Sequence, residues 1–491
     1  MYIGGASART ALVMPYENYL KSRAALDKAR LFSYNIICVS IFCKLKFLYI
    51  EVITVLKVVK FGGSSLADAT QFKKVADIIR AEPERRYVVP SAPGKRHKSD
   101  TKVTDMLYAC YEMAARGEDI SAPFSEIEAR YNGIISELGL DFSLEHDFHL
   151  IKNAFIHKAG RDFAASRGEY LNGKILAKYL DFDFIDAAEV IFFNDNAQFD
   201  AERTNKVLSE ELKKHNYAVI PGFYGSMPND TIKTFSRGGS DITGSIVARA
   251  AACDIYENWT DVDGFLMGDP RILDNPRVIG EITYHELREL SYMGATVLHE
   301  DAIFPVRIAG IPINIRNTNN PKARGTFIVS TSDKYDTGNV ITGVAGKKNF
   351  SVINIEKDMM NSEIGFTRRV LQVLENNNIN FEHLPSGIDN MSIVVNTAEL
   401  EGKREILKTN ICRAVNPDVI SIEDGLALVA VVGRAMVKAK GTAARVFKAI
   451  SGAGINIRMI DQGSSEISII VGVEEQDFEE ALRAIYQEFV Y

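Results

Sequence analysis

No H-E-x-x-H or C-x-x-C pattern occurs in the sequence, and its five cysteines, Cys38, Cys43, Cys110, Cys253 and Cys412, are odd in number. Neither a metal site nor a disulfide framework is expected, and reduced thiols of this kind suit a cytoplasmic protein. Positive charge is not in excess either. The net charge is −7, which argues against nucleic acid as a partner and leaves any basic cluster as a local site for a small anion. A membrane span is missing too: the most apolar stretch, Leu31 to Cys43, is bracketed by Arg30 and Lys44 and interrupted by Asn35, and it falls short of the roughly 20 residues a span requires. Glu17 and Asp27 upstream spoil the basic start of a secretory signal. What remains is a chain of 491 residues, 46% hydrophobic, long enough for several soluble domains.

The most informative stretch is Lys60-Phe61-Gly62-Gly63-Ser64-Ser65. Val55-Leu56-Lys57-Val58-Val59 reads as the strand that feeds it. Beyond it Leu66, Ala69, Phe72, Val75, Ala76 and Ile79 recur at helical spacing, with Ser65 and Asp68 as a capping pair. Strand, lysine, two glycines and a helix start make an anion cradle: the glycines let backbone N–H groups approach phosphate oxygens, and the helix start and the lysine add positive charge. A polyphosphate ligand is therefore expected. The spacing fits neither the G-x-x-x-x-G-K-[ST] loop nor the G-x-G-x-x-G dinucleotide turn. A lone Gly-Gly can equally be a tight turn, so the other loops matter.

Ser236-Arg237-Gly238-Gly239-Ser240-Asp241 precedes a run of small and apolar residues, Ile242 to Ala248, suited to a close-packed helix. Trp259-Thr260-Asp261-Val262-Asp263-Gly264 closes another strand, and Gly268-Asp269-Pro270-Arg271 follows. Three such loops, each expected at the C-terminal end of a strand, point to one phosphate-transfer site in an α/β sheet. Further strands are read at Tyr87–Pro90, Phe184–Ala187, Tyr217–Pro221 and Ile313–Arg316, with helices from Tyr111 to Arg161, so the sheet should be mainly parallel. The basic run from Ser91 to Lys98 is either a solvated loop or a lid near the nucleotide.

After a linker at about 331–340 the pattern changes to an internal repeat. Gly365 to Val395 lies without gaps on Gly441 to Val471: Arg369-Val370 falls on Arg445-Val446, Ile379-Asn380 on Ile455-Asn456, and Gly387 on Gly463. Each unit has the βαββαβ outline of a small ferredoxin-like module. Such modules either bind amino acids or serve only dimerisation.

Taken together, Lys60 to Ser65, Ser166-Arg167-Gly168-Glu169, Arg237 to Asp241, Thr260 to Gly264 with Asp269-Pro270-Arg271, and the paired modules resemble the aspartokinases of the amino-acid kinase superfamily, from about Ile53 to the C-terminus. The resemblance implies an α/β amino-acid kinase sandwich with a mainly parallel central sheet (53–330), followed by two ACT modules (341–425 and 426–491). It implies transfer of the γ-phosphoryl of ATP, with Mg²⁺, to L-aspartate, giving 4-phospho-L-aspartate at the start of lysine, threonine and methionine synthesis. Residues 1–52 precede the region of resemblance and are expected to be dispensable. No dinucleotide fingerprint follows the second repeat, so no fused dehydrogenase is expected. Two other readings stay open: a kinase of glutamate or acetylglutamate, and an amino-acid sensor without catalysis.

Residue roles follow from the same resemblance. Lys60 and Asp241 would be catalytic, Lys60 bridging the transferring phosphoryl group and Asp241 orienting it; alone, Asp241 could be a helix cap. Thr104, Glu169, Arg237, Gly238, Gly239 and Ser240 would bind aspartate, Arg237 clamping the α-carboxylate and Glu169 pairing with the α-ammonium. Thr104 could simply start a helix, and Glu169 could form a surface ion pair. Lys60, Phe61, Gly62, Gly63, Thr260, Asp261, Leu266 and Arg271 would contact the nucleotide, with no metal held by protein ligands alone. The chain departs from the family at Leu266, where tyrosine is common, and at Thr296, where lysine is usual. Met360, Gly365, Phe366, Glu382 and Ser386 would form an effector pocket favouring L-lysine over L-threonine, because Glu382 offers a counter-charge to a side-chain ammonium, although it could be a solvated strand residue. A homodimer or higher homo-oligomer through the ACT modules is expected.

Overall fold

The computed structural model describes residues 55–236, 238–295, 300–331 and 340–490. The N-terminal extension (1–52), Arg237, Thr296 and most of the 331–340 linker lie outside the described residues. The catalytic half contains β1 (Lys57–Phe61), β2 (Arg85–Pro90), β3 (Asp183–Phe184), β4 (Ala218–Val219), the hairpin β5 (Tyr224–Ser226) and β6 (Ile232–Thr234), β7 (Ile255–Thr260), β8 (Glu281–Thr283), β9 (Ile313–Asn317) and β10 (Thr326–Val329). Eight of these form one sheet in the order β3-β4-β2-β1-β7-β9-β10-β8. Neighbours are parallel except β9 and β10, the mainly parallel arrangement expected.

Strand alternation sends successive side chains to opposite faces, and both faces are covered. Val59, Phe61, Val88 and Trp259 pack against Phe72, Val75 and Ile79 of the helix Ala69–Arg80. Val58, Val89 and Tyr256 pack with Ile246 and Val247 of the helix Gly239–Ala250. Lys60 and Asn258 are register partners, so they share this second face. On the first face a charge cluster is buried. Glu257 is met by Arg85 at 2.8 Å, Lys57 at 3.3 Å and Arg316 at 3.5 Å, and it accepts the Trp259 indole N–H at 2.9 Å. Burial pushes the Glu257 carboxyl up, but Arg85, Lys57 and Arg316 outweigh it and hold the group below its ordinary value.

Three local details differ from the pattern read in the sequence. Asp68 caps the helix Ala69–Arg80 by itself, accepting from the Gln71 N–H at 2.9 Å; Ser65 sits in a short 3₁₀ turn, Gly63–Leu66, with its hydroxyl 2.7 Å from that of Thr318. Asp186 caps a new helix at Ala187–Val190, which cuts the strand expected over Phe184–Ala187. The Ser236–Asp241 loop follows the separate β5–β6 hairpin and not a strand of the main sheet.

The C-terminal half forms a five-stranded antiparallel sheet, β12-β11-β13-β15-β14, from β11 (Gly343–Glu356), β12 (Asn390–Asn396), β13 (Val419–Val432), β14 (Met459–Asp461) and β15 (Ser468–Glu474). The repeat is visible in the backbone. Gly365 and Gly441, with φ of 78° and 86°, precede the helices Phe366–Asn376 and Thr442–Gly452. A side chain would strain that left-handed conformation. Strand β11 serves both modules: Val344 and Ala345 share a core with Val446 and Val471, whereas Ile353 and Ile355 pack with Phe366 and Val370. The segment around Glu382 forms no continuous strand and pairs through isolated bridges, His383 to Val394 and Ser386 to Met391.

Candidate active site

Lys60 lies at the C-terminal end of β1 and is buried. Its Nζ is 2.7 Å from Asp241 Oδ1. Asp241 reaches it from the first turn of the helix Gly239–Ala250, which sits close to the sheet because Gly244 leaves room for a ring: a Cβ there would lie 2.3 Å from the Tyr256 hydroxyl. Asn258, on β7, completes a triangle. Its Nδ2 donates to Asp241 Oδ1 at 2.7 Å, and its Oδ1 accepts from Lys60 Nζ at 3.4 Å. The sequence pointed to Lys60 and Asp241 as a pair but did not single out Asn258.

The glycine cradle is built by a backbone crossing. The Gly94 N–H donates to the Gly63 carbonyl at 2.8 Å. A Cβ on Gly63 would lie 2.8 Å from the Ala92 carbonyl oxygen, and one on Gly94 2.6 Å from the Gly63 carbonyl carbon. Thus the base of the Ser91–Lys98 loop is part of the site wall. Its tip, Lys95 to Ser99, is exposed, and Asp100 anchors it, accepting from Arg96 and from Arg130 at 2.9 Å each. Phe61 contributes no side chain to the cradle: its ring stacks on Trp259 in the core at 5.9 Å between centroids, and its carbonyl accepts the Ser91 N–H. Gly62 donates its N–H to the Trp259 carbonyl at 3.1 Å, tying the cradle to β7.

From Ala92 the wall continues to the acidic residue of Ser166-Arg167-Gly168-Glu169, midway along the helix Arg161–Leu180. A Cβ on Gly168 would lie 2.8 Å from the Ala92 methyl and 3.7 Å from the Thr104 hydroxyl, which places Thr104, in the first turn of the helix Val103–Ala115, beside this segment. Glu169 is buried, and its Oε2 has no hydrogen-bond partner. Burial pushes its carboxyl up to about 8, against the Ala92 backbone and the Ser240 hydroxyl, which favour the ionised form. A surface ion pair is excluded. Ser240 closes the circuit back to Asp241; a Cβ on Gly222 would lie 2.7 Å from that of Ser240. Gly238, with φ 67°, caps the helix, and a Cβ on Gly239 would strike the Phe223 ring at 2.2 Å. Phe223 and Ser236 in turn line a cavity of about 510 Å³ with Tyr108 and Thr234.

The remaining residues separate into two groups. Thr260 ends β7 beside the cradle, with its hydroxyl engaged by the Val262 backbone, and Asp261 is exposed. Leu266 forms a bridge with Val278. Arg271 is 85% exposed and held by Asp269 at 2.6 Å. In the first C-terminal module Met360 and Phe366 are core side chains, Gly365 is the helix cap, and Ser386 is exposed. Glu382 accepts a hydrogen bond from Tyr292, which belongs to the catalytic half. Among the described residues no group of three or more His, Cys, Asp or Glu side chains could hold a metal ion.

Comparison with known proteins places this geometry in a family. The amino acid kinase family matches residues 56–317, and the ACT domain family matches residues 429–489. Aspartokinase 3 of Bacillus subtilis is 40% identical over 450 residues, covering 88% of this chain and 98% of its own. Among solved structures, Clostridium acetobutylicum aspartate kinase aligns with a TM-score of 0.81 at 53% identity, covering 89% of this chain and all of its own. Escherichia coli aspartokinase III, at 25% identity and the same coverages, aligns at 0.65 in its complex with aspartate and ADP (R-state) and at 0.62 in that with lysine and aspartate (T-state). The chain belongs to the amino acid kinase family and, within it, to the aspartokinases.

Proposed function

We propose that this protein transfers the γ-phosphoryl of ATP to the side-chain carboxylate of L-aspartate, yielding ADP and 4-phospho-L-aspartate. The observation that carries this reading is the Lys60–Asp241 pair at the mouth of a glycine cradle, with the unpartnered Glu169 oxygen on the same wall. The acceptor needs no general base, because a carboxylate of pKa about 3.9 is already ionised at neutral pH. What limits the step is repulsion between two anions. Lys60, fixed by Asp241, supplies positive charge where negative charge spreads in the transition state.

Glu169 gives the amino group of the substrate its counter-ion: a buried carboxylate oxygen without a partner is costly, and an ammonium group would satisfy it. Thr104 and Ser240 flank that position. Arg237 is assigned to the α-carboxylate from its place before Gly238 in the sequence. The missing Cβ atoms at Gly63 and Gly94 fit a backbone cradle for ATP phosphates, with Thr260, Asp261 and Leu266 on the nucleotide side. Arg271 joins them on exchanging Asp269 for phosphate. Mg²⁺ would arrive on the ATP phosphates and offset their charge, as that ion usually binds.

The second C-terminal feature is regulation. The E. coli relative bound to lysine supports an amino-acid effector here, and Glu382 is the residue we assign to a lysine ammonium. Large apolar side chains exposed in that module, Met359, Ile364, Phe381 and Ile388, support a homo-oligomer formed through it. Among the described residues no helix is long and apolar enough to cross a membrane. Cys110, Cys253 and Cys412 are free thiols, which supports a cytoplasmic location. The reaction is tested by ADP release with L-aspartate, L-glutamate or N-acetyl-L-glutamate as acceptor. Turnover confined to aspartate is the expected result, and preference for either other acid would refute the assignment.

A further inference from the structure

We propose that Asn258 is a positioning residue for phosphoryl transfer, its carboxamide holding Lys60 and Asp241 in their working arrangement. The inference rests on the kinase reading above and adds a residue to it. Asn258 is almost fully buried in a central strand, paired in register with Lys60. A buried amide costs free energy unless both of its ends are hydrogen-bonded, and here the partners are Asp241 at 2.7 Å and Lys60 at 3.4 Å.

The chemistry of the partners restricts what can stand between them. Lysine only donates, and ionised aspartate only accepts. The group between them must therefore present an acceptor to one and a donor to the other, at a separation fixed by the β1–β7 register. A carboxamide does this; leucine of similar volume does neither, and aspartate offers acceptors to both. The consequence reaches Asp241. Its carboxylate is partly exposed and could turn toward water, but the Asn258 N–H engages the same Oδ1 that holds Lys60. That fixes the rotamer and directs the lysine toward the cradle. Misplacement of a charge-stabilising group by even about 1 Å can cost about a hundredfold in rate.

The test uses the full-length protein and steady-state ADP release. Asn258→Leu and Asn258→Asp should each lower kcat at least tenfold while leaving the KM for aspartate within threefold, because Glu169 and Thr104 are untouched. A residue that acts through Asp241 must lose its effect when Asp241 is disabled. In the Asp241→Asn background, Asn258→Leu should cost less than a further twofold. Either of two results overturns the inference: an Asn258→Asp enzyme within twofold of wild-type kcat, or an Asn258→Leu loss of equal size in both backgrounds. Because Asn258→Asp is isosteric, the test stands even if the leucine variant fails to fold. Absence of wild-type turnover would remove the kinase reading and this inference together, whereas an active wild type with indifferent variants removes this inference alone.

Discussion

Tyr292, at the end of the catalytic-half helix Tyr284–Tyr292, donates its hydroxyl to the carboxylate of Glu382 in the first regulatory module. Burial and then the Glu382 hydrogen bond and charge push the Tyr292 hydroxyl up to about 12, so it stays a donor at physiological pH. Lys347 lies over its ring at 4.9 Å. An effector ammonium that needs Glu382 must compete with this contact, and a ligand shifts an equilibrium only through such differential interactions.

Tyr292→Phe should therefore sensitise the enzyme. The half-inhibitory lysine concentration is expected to fall about fivefold, the equivalent of one hydrogen bond of about 1 kcal/mol, with little change in turnover without lysine. Glu382→Ala should raise it instead. Titration of initial rates with lysine checks both, and an unchanged value in Tyr292→Phe would show that the contact is incidental.

The buried Glu169 makes aspartate binding depend on pH. With its carboxyl pushed up to about 8, the group is protonated in the free enzyme at pH 7, and an incoming ammonium favours the ionised form. Binding then expels a proton, so the KM for aspartate should fall by up to tenfold per unit between pH 6 and 8 and level off above. Stability follows the opposite course without ligand: a raised carboxyl pKa stabilises the fold least once the group must ionise, so melting temperature should decline as pH rises from about 4.5 through 8. Glu169→Gln should flatten the KM profile. A wild-type profile already flat would place the ammonium elsewhere.

Gly94→Ala sets a methyl against the Gly63 backbone and should raise the KM for ATP about tenfold, or ~1.4 kcal/mol. Gly133, which has open space where a Cβ would sit, is the control, and Gly133→Ala should be neutral. Equal ATP affinity in both variants would mean that the crossing does not shape the nucleotide site.

Removing the acid of the buried cluster tests its role in stability. Glu257→Gln leaves Arg85, Lys57 and Arg316 around a neutral side chain and should destabilise the catalytic half by about 3 kcal/mol, read as a lower denaturation midpoint. No change in midpoint would mean that the three cations find other partners.

The parts of the site that were legible in the sequence are those written locally. Lys60 with Gly62 and Gly63, Glu169 in its Ser-Arg-Gly-Glu setting, and Asp241 after two glycines are short patterns whose chemistry shows in adjacent residues. The repeat was legible for a similar reason, since Gly365 and Gly441 mark helix starts 76 residues apart. Asn258 was not, because its function comes from the register of β1 with β7 across nearly two hundred residues. Gly94 was hidden likewise: its contact with Gly63 appears only when two loops cross. The β5–β6 hairpin escaped notice because its strands of three residues each are too short to show alternation.

The most direct test of the account is the product itself. Wild-type protein and Lys60→Ala, both confirmed folded by circular dichroism, are incubated with ATP, Mg²⁺ and L-aspartate, and the acyl phosphate is trapped with hydroxylamine. The account predicts stoichiometric ADP and aspartyl hydroxamate from the wild type and a loss of at least a hundredfold in the variant, about 2.7 kcal/mol of transition-state stabilisation. Hydroxamate formed by Lys60→Ala at more than a tenth of the wild-type rate, or none formed by the wild type, would contradict it.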